Sequence, residues 1–206
     1  ASNYQIIQGN YIGLSIDGLS TDPNSDGGLF VSGDNILIGG NSLAGEGNVI
    51  SGNGTSGLEY AIQFDNASNV QIFGNLIGTD KNGENDLGNL RGIRVESTDD
   101  SIEIGGQGTG QGNVISGTNS AFSVHLTGGG NTIVDSNIIG LNALGTTPIA
   151  NTGNGIDIVS GIGLGTIIQN NVISASSVNG ISVSGTSDLI IQNNFIGTDA
   201  TGSFGS

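Results

Sequence analysis

The stretch QIFGNLIG at residues 71–78 decides the fold, because the chain keeps returning to it. The same phrase reads IIQGNYIG at 6–13, IVDSNIIG at 133–140 and IIQNNFIG at 190–197. Each copy has an apolar residue, two further residues, Asn, one residue and Ile, and it ends on Gly. A phrase that recurs at intervals of tens of residues is typical of a stacked repeat architecture.

A sister phrase carries the same asparagine at intermediate positions. It reads GNVISG at 47–52 and 112–117, and NNVIS at 170–174. An Asn at the corner between two strands can hydrogen-bond neighbouring turn backbone and tolerates left-handed geometry. Stacked identical Asn residues form ladders in repeating β structures, so these residues are predicted to be structural. The asparagines that share the position are Asn10, Asn48, Asn75, Asn113, Asn137, Asn171 and Asn194.

A second phrase consists of two apolar residues that flank one polar residue, and it predicts short strands with a period of two. A three-residue strand cannot bury its apolar face alone, so each coil must rest on the next one. We count six or seven coils in one domain over residues 1–206, and the repeat runs to both ends, so we expect a fragment of a longer repeat protein. The clearest copies are Ile62-Gln63-Phe64, Ile93-Arg94-Val95, Val124-His125-Leu126, Ile156-Asp157-Ile158 and Ile181-Ser182-Val183.

The charge balance limits the partners. The formal net charge is −15, from 18 acidic residues against 3 Lys and Arg. Such a chain is not expected to bind nucleic acid, which needs clustered basic residues, and an anionic membrane would repel it. The sequence has no apolar stretch long enough for membrane insertion. Cations, above all calcium, suit this balance, although plain solubility explains it equally well.

Three stretches carry a resemblance to a known family. GNLIGTDKNGENDLGN at 74–89, IGTDATG at 196–202 and GEGNVISGN at 45–53 resemble bacterial right-handed β-helix repeat proteins. That family resembles pectate lyases in architecture and includes many secreted surface proteins. The resemblance implies an all-β fold, a single-stranded right-handed parallel β-helix (solenoid), in an extracellular or cell-surface protein. It does not fix the function, because this fold serves lyases, hydrolases, epimerases, adhesins and spacers.

The polar residue at the centre of each strand phrase should point outward, which places Arg94, His125 and Asp157 in one row. Adjacent members of such a row lie about 5 Å apart. A His–Asp pair can act as an oriented base, and Arg can neutralise a substrate carboxylate. These three residues are the candidate catalytic group, and Asp65 and Glu96 beside them are candidate carbohydrate-binding residues. The alternative is a solvated face on which stacked charges offset one another.

One loop, DPNSDG at 22–27, matches the first half of a calcium-binding loop. It offers oxygen ligands at alternate positions, from Asp22, Asn24 and Asp26, and Gly at the tight turn. The complete motif needs Glu at position 33, where this chain has Gly33. These three residues are the candidate metal ligands, with a solvated turn as the alternative.

Two functions therefore remain open. The first is an extracellular structural or adhesive module that binds cations, polysaccharide or extracellular matrix, or associates with itself end to end. The second is a lyase or epimerase acting on acidic polysaccharide around Arg94. An enzyme should show a groove, flanked by long loops, over the Arg94–His125–Asp157 row, and a spacer should show none.

Overall fold

The computed structural model describes residues 5–96, 99–159, 165–185 and 188–203. The protein is all-β, and neighbouring strands in both of its sheets run parallel. The helical element among these residues is a short 3-10 helix, Ser42–Ala44. Within the described ranges, no helix combines the length and apolar character that crossing a membrane requires.

Short strands separated by turns make up both sheets, as the period-two phrases predict. The larger sheet contains β1 (Gln5–Ile7), β3 (Leu29–Gly39), β5 (Ile62–Phe73), β7 (Ile93–Val95), β8 (Asp100–Ile104), β10 (Phe122–Leu126), β11 (Ile133–Asp135), β13 (Asn154–Ile158), β14 (Thr166–Gln169), β16 (Ile181–Val183) and β17 (Leu189–Gln192). The smaller sheet contains β2 (Tyr11–Ile12), β4 (Val49–Ile50), β6 (Leu76–Ile77), β9 (Val114–Ile115), β12 (Ile138–Ile139), β15 (Val172–Ile173) and β18 (Phe195–Ile196).

Each strand pairs with its counterpart from the next repeat, so the spacing of the phrases sets the register. In the smaller sheet β6 pairs with β4 on one side and with β9 on the other. Two strands are much longer than the three or four residues expected, and β8, β10 and β13 have five residues each. The 11-residue β3 and the 12-residue β5 run through positions where later coils have a break, and β5 pairs with both β7 and β8. This continuity joins two series of strands into one sheet.

The core consists of aliphatic side chains stacked from coil to coil. Ile72 pairs with Ile104, which pairs with Val134, and all three are fully buried. Burial of each side chain of this kind contributes about 1.5–3 kcal/mol to the free energy of folding. The stack ends in β17, where Ile191, which pairs with Ile168, is 41 % exposed because β17 lies at the edge of the described part of the sheet.

The repeated asparagines, each of which directly precedes a strand of the smaller sheet, form a continuous hydrogen-bonded ladder. At each step the side-chain Nδ2 and the backbone N of one Asn both donate to Oδ1 of the next, as between Asn75 and Asn113 at 3.0 and 2.9 Å. Nδ2 also donates to a backbone carbonyl, as from Asn113 to Ile72 at 2.7 Å. The ladder runs through Asn10, Asn48, Asn75, Asn113, Asn137, Asn171 and Asn194.

The turns after the smaller sheet also stack. Asp80 accepts hydrogen bonds from the backbone N of Asn82 and Glu84, and Asn142 and Asp199 play the same part in later coils. Each of these turns follows a glycine, and at Gly78 and Gly140 the backbone of the next coil lies very close. At Gly78 φ is +86°, and a Cβ would lie 1.9 Å from the carbonyl oxygen of Ser116, so only Gly fits there.

Candidate functional site

The candidate site lies on the outer face of the larger sheet, where the strand register aligns the central polar residues. Arg94 pairs with Gln63 on one side and with His125 on the other, and His125 pairs with Asp157. The row continues to Ser182 at one end. At the other end it reaches Phe30, which pairs with Gln63 and is 68 % exposed.

His125 lies between two oxygen-bearing groups. Its Nδ1 is 2.8 Å from the phenolic oxygen of Tyr60, and its Nε2 is 3.6 Å from Oδ2 of Asp157. Asp157 is held in place by Asn154, whose Nδ2 donates to Oδ1 at 2.8 Å. The ring of Phe122 stacks on the imidazole with 4.1 Å between centroids. An ionised Asp157 can only accept, so it favours a proton on Nε2 and leaves Nδ1 to accept from Tyr60.

Both arginines of the chain converge on Tyr60. The guanidinium carbons of Arg91 and Arg94 lie 5.3 and 5.7 Å from the ring centroid, within cation–π range. Arg94 also pairs with Glu96 at 3.0 Å, and Glu96 accepts from Gln63 at 3.1 Å. Arg91 forms no ion pair with the described residues, and a weak 3.5 Å hydrogen bond joins it to the Tyr60 hydroxyl.

The two arginines keep unused hydrogen-bond donors. The Nε atoms of Arg91 and Arg94 are both buried, and neither has a partner among the described residues. A carboxylate can pair with a guanidinium group, and its attraction to the two positive charges does not require it to reach the buried Nε atoms. The site therefore favours an anionic group, in a chain that is otherwise strongly acidic.

The surroundings move the pKa values of His125 and Tyr60 apart, which favours the neutral form of both groups. Burial lowers the pKa of His125 below its ordinary value of 6.5, with Arg94 and Arg91 acting in the same direction, and Asp157 opposes them. Burial raises the pKa of Tyr60 above its usual 10.0, although both arginines pull the other way. Around neutral pH the imidazole is thus neutral and able to take a proton, while the phenol still holds one to give.

A cavity of about 340 Å³ opens beside this cluster, within the range of small-molecule sites. Tyr60 and Gln63 line both the cluster and the cavity, and Phe30, Glu59 and Asp26 also line the cavity. Oε2 of Glu59 is buried and lacks a hydrogen-bond partner in the described structure. Arg94, His125 and Asp157 do not line this cavity, so it is not the groove over that row expected of an enzyme; it lies toward the N-terminal coils.

The other sequence-predicted residues are placed as follows. Glu96 contacts Arg94, whereas Asp65 is exposed and no side-chain hydrogen bond or ion pair links it to the described members of the row. Asp22 and Asp26 are exposed in their loop, and Nδ2 of Asn24 donates to Oδ1 of Asn53 at 2.8 Å, which makes Asn24 part of a second, shorter ladder. In the residues described, no group of three or more Asp, Glu, His or Cys side chains is placed to hold a metal ion.

Sequence reasoning missed Tyr60, Arg91 and Phe122. Each occurs two residues before the first apolar residue of a strand phrase, before Ile62, Ile93 and Val124 respectively. The phrase spacing aligns these three positions just as it aligns the central row. The signal was therefore present in the repeat, two positions before the strand phrase.

Comparisons with known proteins give little further guidance. No protein-family model matches the chain, and no curated protein matches it. The chain is similar to a solved structure, the crystal structure of alginate lyase from Paenibacillus sp. str. FPU-7, with 17% sequence identity and a TM-score of 0.47. The match covers 84% of this chain and 65% of that one, so the chain spans less than two thirds of the length of the lyase. At this level of similarity the match carries no argument about the site.

Proposed function

We propose that this chain is a right-handed parallel β-helix of seven coils in an extracellular or cell-surface protein, and that it is a lyase acting on acidic polysaccharide. The parallel pairing of β2, β4, β6, β9, β12, β15 and β18 supports the coil count, one strand for each asparagine of the ladder. The observation that carries the enzyme proposal is the convergence of both arginines, the single histidine and a buried tyrosine beside one cavity.

The reaction that fits this set is β-elimination at a uronate residue. Arg91, with Arg94 beside it, neutralises the substrate carboxylate and so acidifies the adjacent C5–H. Tyr60 passes its hydroxyl proton to Nδ1 of His125, and the resulting phenolate takes the C5 proton. The bond from C4 to the glycosidic oxygen breaks, a C4=C5 double bond forms, and the re-protonated Tyr60 gives its proton to the leaving oxygen. His125 then returns the stored proton to Tyr60, so no water is consumed.

Asp157 acts in this scheme as a positioning residue. Its carboxylate, fixed by Asn154, stabilises the imidazolium that forms while His125 stores the proton. Glu96 positions Arg94 in the same way through their 3.0 Å ion pair. Asp65, which lies apart from the cluster, has no assigned step.

The test is an assay on a panel of uronate polysaccharides that follows the ultraviolet absorbance of the new double bond together with chain length. We expect absorbance to rise as chains shorten, and His125→Ala to abolish both changes. Ser182→Ala is the matched control, because Ser182 belongs to the same row but lies beyond Asp157. Inverted uronate stereochemistry without cleavage would instead identify an epimerase, since epimerisation begins with the same C5 proton abstraction.

A structural or adhesive module, including one that associates end to end, is the second candidate. The observation that favours it is that the asparagine ladder and the stacked turns engage many polar side chains in coil-to-coil contacts. It is tested by the same assay, because a module of this kind leaves every polysaccharide in the panel unchanged.

A further inference from the structure

The cavity beside Tyr60 and the arginine pair next to it differ in charge. The arginines, Arg91 and Arg94, supply the positive charge of the site. The cavity lies one or two strands away from the arginines, toward β3. It is lined by two carboxylates, Glu59 and Asp26, and by no basic side chain. A polysaccharide that lies along the row must therefore present a carboxylate at one unit and none at the neighbouring unit.

From this charge separation we propose that the substrate is a heteropolysaccharide in which a neutral sugar adjoins the uronate, and that the cavity is the subsite for the neutral sugar. The proposal rests on the proposed function and specifies its substrate class. A uronate in the cavity would place its carboxylate beside Glu59 and Asp26, which line it, and like charges repel where water is partly excluded. The hydroxyl groups of a neutral sugar can donate to the same carboxylates.

Two further features of the cavity suit a neutral sugar. Oε2 of Glu59 is buried without a hydrogen-bond donor, and a sugar hydroxyl could supply one. Phe30 is 68 % exposed at the end of the row and can stack against the apolar face of a sugar ring.

The charge of the whole chain leads to the same substrate class. A protein with a formal net charge of −15 repels a polymer that carries one carboxylate on every unit. An alternating polymer carries half that charge density, so it approaches more readily and still offers a carboxylate to Arg91. Phe30, Gln63 and Arg94 lie on successive strands about 4.8 Å apart, which lets neighbouring sugar units reach the two differently charged regions.

The experiment compares the binding of matched tetrasaccharides by titration calorimetry in EDTA. One set contains four uronates, and the other alternates the same uronate with a neutral hexose, for glucuronate, galacturonate and mannuronate in turn. The His125→Ala variant is used so that no cleavage occurs during the titration. For the uronate that binds best, we expect the alternating tetrasaccharide to bind at least about tenfold more tightly than the tetrasaccharide of four uronates, called the homopolymer below.

Two substitutions test whether the cavity carboxylates cause this preference. Glu59→Gln and Asp26→Asn, each added to His125→Ala, should reduce the preference to about threefold or less by improving homopolymer binding. Asp26 is exposed, so its variant reports on charge even if Glu59→Gln perturbs folding. Phe30→Ala should weaken binding of the alternating form more than binding of the homopolymer.

Each outcome decides the inference separately from the proposed function. Equal or tighter binding of the homopolymer, a preference unchanged in both cavity variants, or no binding of either form overturns the inference. If the wild-type protein cleaves homopolymer faster than the alternating polymer, the inference fails while the lyase function stands. If the preference is found but the wild-type protein cleaves neither polymer, the lyase function fails and the cavity remains a sugar-binding subsite.

Discussion

The phenolic oxygen of Tyr60 lies 2.8 Å from Nδ1 of His125, although 65 residues separate them in the chain. The strand register makes this contact possible, because Gln63, Arg94 and His125 lie on three successive paired strands. Tyr60 reaches across the intervening strand, and the arginines lie against its ring. The phenol of Tyr60, whose pKa is raised, and the imidazole of His125, whose pKa is lowered, thus share one hydrogen bond. Asp157 lies on the other side of the imidazole, next to Nε2.

Removal of the Tyr60 hydroxyl should separate catalysis from folding. In Tyr60→Phe the ring and its cation–π contacts remain, and we expect turnover of uronate polysaccharide to fall at least about 100-fold because proton transfer is lost. The free energy of unfolding should change by about 1 kcal/mol, the usual value of one hydrogen bond. Tyr11→Phe, on an exposed tyrosine of β2, is the control. Turnover that persists in Tyr60→Phe would remove the phenol from the mechanism.

The acid limb of the activity profile should report His125. Its pKa is lowered in the folded protein by burial, so protonation on acidification begins below the ordinary value of 6.5. Activity should therefore persist below pH 6.5 and fall only as the pH passes through the lowered folded-state pKa. Because His125 is the single histidine of the chain, one imidazole signal in an NMR titration gives that pKa directly.

The same shift makes a prediction for stability. The unfolded chain takes up a proton near pH 6.5 and the folded chain does so only at lower pH, so the stability contribution present above pH 6.5 decreases as the pH falls toward the folded-state value. His125→Gln should lack this component, so its unfolding free energy should change less with pH over that window. An NMR pKa above 6.5, or equal pH dependence in the variant, contradicts the assignment.

The loop at 22–27 remains a predicted calcium site with a direct test. Nδ2 of Asn24 donates to Asn53, a bond that does not use the side-chain oxygen of Asn24, and Asp22 and Asp26 are exposed in the same loop. We expect calcium to raise the unfolding midpoint of metal-free protein, with a gain of about 2.7 kcal/mol at a calcium concentration 100 times the Kd. The double variant Asp22→Asn, Asp26→Asn should lose this response. An unchanged midpoint in wild-type protein with calcium and with EDTA rejects the site.

The sequence predicts the strand register well, because the pattern repeats at nearly constant intervals. The phrases centred on Arg94, His125 and Asp157 recur 31 or 32 residues apart, and the structure pairs these residues directly. The pattern fails where a loop interrupts it. Ile104 joins the same buried stack as Ile72, but the glycine-rich loop at 105–112 separates it from its ladder residue Asn113, so the phrase could not be recognised.

The site was less predictable than the fold, since it depends on side chains that cross from one coil to another. Tyr60 belongs to the turn before β5, where sequence patterns indicate backbone geometry and not the direction of a side chain. Its contact with His125 requires the register, the length of the phenol side chain and the packing of both arginines together. The periodic pattern supplies only the first of these.

The asparagine ladder should contribute much of the stability, and Asn113 is the position that tests it best. Its Oδ1 accepts from both the backbone N and Nδ2 of Asn75, and its Nδ2 donates to Ile72 and to Asn137. Asn113→Ala removes all four of these hydrogen bonds, each worth about 1 kcal/mol, and leaves the buried backbone N of Asn75 unpaired. The carbonyl of Ile72 still accepts from the backbone N of Gly105. We expect a loss of about 3 kcal/mol or more in the free energy of unfolding, measured by urea titration.

Two companion variants distinguish hydrogen bonding from packing in the ladder. Asn113→Asp keeps the shape and the accepting oxygen but removes the donors to Ile72 and Asn137, and it buries a carboxylate, so it should be destabilised as strongly as the alanine variant. Asn10→Ala, at the exposed end of the ladder, should lose about 1 kcal/mol or less, because no described residue donates to the side-chain oxygen of Asn10. If Asn113→Asp kept wild-type stability, the contribution of Asn113 would come from its shape, and the hydrogen bonds along the ladder would contribute little.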